Sequence, residues 1–261
     1  MIARRLSPLL ALALLLALAM GARAQEEPPA EDDSSVEVRI VTRDGAQMDV
    51  YLDGRRVGLT PIKLRTPPIG LVLSAGAPGV EPVIHELAIA PGEDRVVTLV
   101  DRPLSRERFP ALFAAMVEAQ REHPRNPHLI ALAASVAQDG DDAARLINTM
   151  PRAMQGEPMV LYAAARASLL LGRTEAALDL LGRACEAEPR MGGLERVRAQ
   201  ILLGAQGPQA ALPHANRAVL LEPANADNFT SRAAVHQALG DLRAAEVDVA
   251  QALVLRPDDA R

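Results

Sequence analysis

A period of 34 residues constrains this chain more than any other feature. Pro189, Pro223 and Pro257 stand 34 apart, and small residues keep fixed distances behind each of them. Ala184, Ala218 and Ala252 lie five before the prolines. Ala177, Ala211 and Ala245 lie twelve before, and Ala165, Ala199 and Ala233 twenty-four before. Gly172 and Gly240 fall seventeen before the first and third prolines. Small residues in register over three consecutive units mean helices that approach closely, each unit docking on the last. The spacing predicts units at 158–191, 192–225 and 226–259.

A degenerate unit precedes them at about 126–157. Leu129, Leu132, Ala133, Val136 and Gly140 take the same steps as Leu161, Ala164, Ala165, Ser168 and Gly172. Its second helix, from about Asp142 to Thr149, is stopped by Pro151, which cannot continue a helix interior. Residues 110–122 add an amphipathic helix with Pro110 at its start. About eight helices are expected over 102–261, stacked as a right-handed solenoid. Small residues, a mid-unit glycine and a closing proline at this period resemble the tetratricopeptide repeat (TPR), a 34-residue helix-turn-helix. The places where that family often has large aromatics hold Leu161, Glu195 and Phe229, with Ser168, Leu202 and His236 further along. The middle unit has Gln206-Gly207-Pro208 at its turn, which predicts a reshaped loop. The last helix, about Leu242–Leu255, shows Val247, Val249, Leu253 and Leu255 among charges, with no polar capping helix after it. Either its outer face is polar enough, or another copy covers it by end-to-end self-association.

Upstream the hydrophobic period is two. Val36, Val38 and Ile40 alternate with Glu37, Arg39 and Val41; Met48, Val50 and Leu52 alternate with Asp49, Tyr51 and Asp53. Asp44-Gly45 and Asp53-Gly54 are hairpin signals, since such pairs tolerate positive φ. Further runs at 62–64, 71–73, 83–89 and 96–100 are separated by Pro67-Pro68, Pro78-Gly79 and Pro91-Gly92. Short strands with turns every eight to twelve residues predict a small antiparallel β-sandwich or barrel over 36–101. The stretch from Gly45 to Pro61 resembles the PEGA domain, a small β-fold of bacterial envelope and surface proteins. The matching positions are Val50, Tyr51, Leu52, Asp53, Gly54, Gly58, Thr60 and Pro61. The resemblance fades after Pro68. It implies an extracytoplasmic module and no chemistry.

The first 24 residues read as an address. Arg4 and Arg5 precede the apolar run Leu9–Met20, and Ala22-Arg23-Ala24 follows Gly21. This is the pattern of a cleaved secretory signal peptide. The rival, an uncleaved anchor, would need roughly 20 apolar residues. No later run is long enough to span a bilayer, and an exported, most simply periplasmic, protein is expected, with cell surface or secretion as alternatives. Residues 25–35 (QEEPPAEDDSS) hold five acids and two prolines and read as a disordered acidic linker.

Chemistry is sparse. The net charge is −5, and −8 without Arg4, Arg5 and Arg23; there is no Trp, with two Tyr and three Phe. Such a chain offers nucleic acid neither a basic field nor stacking platforms. His123 and His128 flank a Pro-Arg-Asn-Pro loop without the spacing of a metal site. His236 reads as a core residue and His85 as an outward strand residue. Cys185 reads as a small buried hydrophobe. Asp139-Gly140-Asp141-Asp142 reads as a turn and helix N-cap, since Met150 stands where a calcium loop needs an acid. No cofactor fingerprint or nucleophile motif is present, so no enzyme, cofactor or metal is expected.

By resemblance to TPR proteins, the inward places of the first helices map to Tyr162, Arg166, Arg196, Gln200, Thr230 and Gln237. Arg166 and Arg196 suit a carboxylate or an acidic peptide. The Lys/Asn clamp with which some family members grip a C-terminal carboxylate is missing. The expectation is a non-enzymatic scaffold that holds a protein or peptide partner in a groove. The alternative is an anchoring protein whose β-module binds a wall polymer or surface assembly.

Overall fold

The computed structural model describes residues 35–92 and 94–257. The signal-like segment 1–24 and all of the acidic linker but Ser35 lie outside the described residues. Seven strands come first: β1 (Val36–Thr42), β2 (Asp49–Leu52), β3 (Arg55–Leu59), β4 (Ile62–Thr66), β5 (Gly70–Gly76), β6 (Val83–Ala88) and β7 (Arg95–Leu99). They form a three-stranded sheet, β4-β1-β7, and a four-stranded sheet, β3-β2-β5-β6. Asp53 and Gly54 both take positive φ, 47° and 78°, and turn β2 tightly into β3. The four-stranded sheet is antiparallel throughout, but β7 runs parallel to β1, so the smaller sheet is mixed rather than antiparallel as expected. Strand β7 returns only after the other sheet is complete, and pairs with the edge of β1 that β4 leaves open. Val38, Ile40, Val97 and Leu99 from one sheet share a core with Val50, Leu73 and Leu87 from the other.

The described residues then contain nine α-helices, one more than expected: α1 (Phe109–Glu122), α2 (His128–Val136), α3 (Gly140–Asn148), α4 (Pro158–Leu170), α5 (Thr174–Ala187), α6 (Gly192–Ala205), α7 (Pro208–Leu221), α8 (Ala226–Leu239) and α9 (Leu242–Leu255). Helices α4, α6 and α8 are the first helices of successive pairs and start 34 residues apart. The recurring alanines are where the helices touch. Ala165, Ala177, Ala184, Ala199, Ala211 and Ala218 are all buried, because a larger side chain there would push the axes apart. The turn glycines Gly172 and Gly240 take φ of 71° and 82°. In the middle pair the left-handed position falls to Gly207 (φ 94°), with Pro208 opening α7, so this loop is indeed reshaped. Asp139 caps α3, accepting from the N–H groups of Asp141 and Asp142 at 2.8 and 2.9 Å.

The two modules are packed together. Asp49 and Tyr51, on the face of β2 that alternation assigns to solvent, are 0 % and 1 % exposed. That face lies against the turns that lead into the first helices. Approach is close enough to need glycine: a Cβ on Gly76 would lie 2.4 Å from Leu132 Cδ2 of α2, and one on Gly45 2.6 Å from Ala224 Cβ, just before α8. Residues 100–108 then cross from the β-module to α1 as a strap. Leu104 N–H donates to Gly79 (2.8 Å), Glu81 N–H to Arg102 (2.9 Å), and Arg108 pairs with Glu81 (2.7 Å).

Candidate functional site

The junction between the modules is polar at its centre. The Tyr51 and His128 rings stack with centroids 3.6 Å apart. Ser74 Oγ lies 2.9 Å from His128 Nδ1, while His128 Nε2 finds no partner. The Tyr51 hydroxyl donates to Glu157 (3.1 Å) and Asp49 (3.3 Å). Arg56 on β3 donates to Asp49 from Nε (2.7 Å) and to Glu188 from Nη2 (2.8 Å), with Glu157 3.6 Å from Nε. One guanidinium therefore serves three carboxylates from three elements.

Electrostatics follow from this enclosure. Burial pushes the Asp49 carboxyl up to about 7, against the pull of Arg56. Burial, helped by the Arg56 charge, pulls His128 down to about 3 and keeps it neutral. Burial alone would raise Glu188, but the hydrogen bonds from Arg56 and from the Arg190 N–H hold it below the usual range. A second acid, Glu222, is 3 % exposed and accepts from Gly193 N–H (3.0 Å) and Asn225 Nδ2 (2.8 Å). Glu188 and Glu222 occupy equivalent places, each just before a unit-closing proline. That recurrence of acids at the 34-residue period is a sequence signal for this junction.

Of the expected binding residues, Arg196, Gln200 and Thr230 come together in one cleft, while Tyr162, Arg166 and Gln237 lie apart from it. Tyr162 is 4 % exposed, in one core with Leu112 and Met116 of α1, and so offers no surface. Arg196 is 5 % exposed and donates to the Pro78 carbonyl of the β-module. Arg166 donates to the Ala137 carbonyl (3.0 Å) and lies 4.7 Å over the Phe109 ring. Of these three inward places only Tyr162 is corrected, because α1 packs over it; Arg196 and Arg166 each line a cleft, with part of each guanidinium taken by a backbone carbonyl. Gln200 and Thr230 stay exposed and line a cleft of about 380 Å³, with Arg196, Leu203, Asp227, Ser231 and Ala234 on the helices and Gly79, Pro103 and Leu104 opposite. Gln237 lies elsewhere, beside Leu242, Ala245, Val249 and Leu253 in a cleft of about 450 Å³ on the last pair.

The minor candidates resolve simply. His236 is half-buried, 4.0 Å from Asp248, and His85 is exposed. Cys185 is half-buried, and burial, with the Glu195 charge, pushes its thiol up to about 12, away from reactive thiolate character. Among the described residues no group of three His, Cys, Asp or Glu is placed to hold a metal. No described helix is long and apolar enough to cross a membrane.

No protein-family model matches the chain, and no curated protein matches it. Solved structures do. TTC0263, a thermophilic TPR protein of Thermus thermophilus, is 20 % identical over 59 % of this chain and 86 % of its own, with a TM-score of 0.53. MamA is 14 % identical over 59 % of this chain and 92 % of its own, with a TM-score of 0.45. YrrB, a TPR protein with an unusual peptide-binding site, is 17 % identical over 58 % and 80 %, with a TM-score of 0.43. The first of these likenesses is close enough to show a shared fold, and the other two carry no further argument. The C-terminal region of this chain resembles the tetratricopeptide-repeat proteins.

Proposed function

We propose that this chain is an exported, non-enzymatic scaffold that holds a peptide or protein segment against the first helices of its repeats. The observation that carries the reading is the cleft around Gln200 and Thr230. Its walls come from α6, α8, the strap and Gly79 of the β-module, and Gln200 and Thr230 remain exposed after the chain has filled the rest of that face. A preformed cleft of this kind binds by shape and a few polar anchors, with little ordering cost on its own side. Export rests on Arg4-Arg5, the Leu9–Met20 run and Ala22-Arg23-Ala24. An envelope role rests on the PEGA-like stretch from Gly45 to Pro61. The β-module serves in this reading as a fixed wall, since its Asp49–Tyr51 face is already spent on the helices.

The test places a photo-crosslinking residue at Gln200, Thr230 or the exposed Val254 in cells. Gln200 and Thr230 are expected to trap the same partner, and Val254 is not. The same adducts from all three positions, or none from the first two, would overturn the reading.

A further inference from the structure

A second cleft opens on the first-helix face beside the other end of the strap. It measures about 320 Å³ and is lined by Arg106, Phe109, Gln138, Arg166 and Leu170. Arg106 sits on the short 3-10 turn Arg106–Arg108 that ends the strap, and Arg166 on α4. The Arg166 Cζ lies over the Phe109 ring, 4.7 Å from its centroid, a cation–π contact. The Ala137 carbonyl takes Arg166 Nη2, while Arg166 Nε is buried without a partner. Neither arginine has a carboxylate partner among the described residues, unlike Arg56, Arg108, Arg217 or Arg232. In a chain of net charge −5, this is a local reversal of charge with unspent donors.

We infer that this two-arginine cleft binds a carboxylate presented by an acidic segment of the protein partner. The inference rests on the scaffold reading above and specifies the partner's chemistry. With Nε enclosed and Nη2 on the Ala137 carbonyl, Arg166 has its remaining Nη donors for a carboxylate, and such charge-assisted pairs are about twice as strong as neutral ones. Arg106, exposed at the rim, supplies the second charge, and the Gln138 amide can donate a third hydrogen bond. The neighbouring cleft differs: its wall holds Arg196, which donates to the Pro78 carbonyl, and Asp227, already paired with Arg256 at 2.7 Å.

Fluorescence anisotropy with fluorescein-labelled tetraglutamate at low salt tests this on the mature chain. Arg106→Gln and Arg166→Gln are each expected to weaken binding about tenfold, the value of one charge-assisted pair. Arg173→Gln, which removes an exposed charge outside the cleft, is expected to leave it unchanged. Arg106 is exposed and carries no fold-defining contact, so its variant speaks even if Arg166→Gln unfolds. Equal weakening by Arg173→Gln, or none by Arg106→Gln, overturns the inference. Displacement of the label by inorganic phosphate at the peptide's own concentration overturns it too, by marking a phosphate site. Partner capture at Gln200 that persists through any of these failures shows that the scaffold reading survives without the carboxylate site.

Discussion

The Arg56 guanidinium lies between Asp49, Glu157 and Glu188, and its side chain is only 26 % exposed. Three acids of a folded protein come within reach of one another there because that cation joins them. Arg56→Met would keep much of the apolar stem but leave Asp49, which is fully buried, beside two further carboxylates. Removing one member of a buried charge pair costs about 3–5 kcal/mol, and the partial exposure of Arg56 places this site near the lower end. Urea denaturation is expected to show a loss of about 2–3 kcal/mol, with part of it restored by adding Asp49→Asn. A loss below about 1 kcal/mol, the range of an exposed pair, would mean that the junction contributes little. Burial of Asp49 could not be read from its neighbours in sequence, because alternation assigns faces within one sheet and says nothing of a second module covering the outer one. Tyr51 gave a hint that went unused: a large aromatic in a chain with so few, on a face read as solvent-facing.

Strand β2 and helix α2 meet through Asp49, Tyr51 and His128, and their titrations oppose. Asp49 has its carboxyl raised to about 7, so the stability it gives is complete below the unfolded value of 3.8 and is lost as pH rises to 7. His128 is lowered to about 3 from 6.5, so its contribution is complete above 6.5 and is lost as pH falls to 3. Between about pH 4 and 6.5 the two slopes cancel. Asp49→Asn removes one of them. Its stability is expected to climb with pH across that window by up to about 1.4 kcal/mol per unit relative to the unmodified protein. Parallel profiles for the two proteins would show that Asp49 is ionised in the folded state. The repeat helices, in contrast, were legible in sequence, since only small residues let axes approach and the alanines mark where they do. The strap was not, because nothing in residues 100–108 distinguishes a linker in solvent from one laid along a helix face.

The molecule as a whole differs from the pair of independent modules that its sequence implies. Gln200 and Thr230 were legible as surface places because the register of a repeat fixes which side chains face inward. Tyr162 was misplaced because the same register cannot say which inward places the chain itself will claim. The result is a molecule with its β-module set into the repeat turns, joined by Gly45, Gly76, Arg56 and Glu222, and with its first-helix face reduced to separate clefts. The cleft around Gln200 and Thr230 has Gly79 of the β-module in its wall, so its shape holds only while the modules stay docked. A distance between spin labels on the two modules tests that docking most directly. With cysteines at Lys63 on β4 and Leu220 on α7, both exposed, and Cys185→Ala as background, a single narrow distance distribution is expected by double electron–electron resonance. A broad or multi-peaked distribution would mean that the modules move independently, and that this cleft and the function built on it do not exist as described.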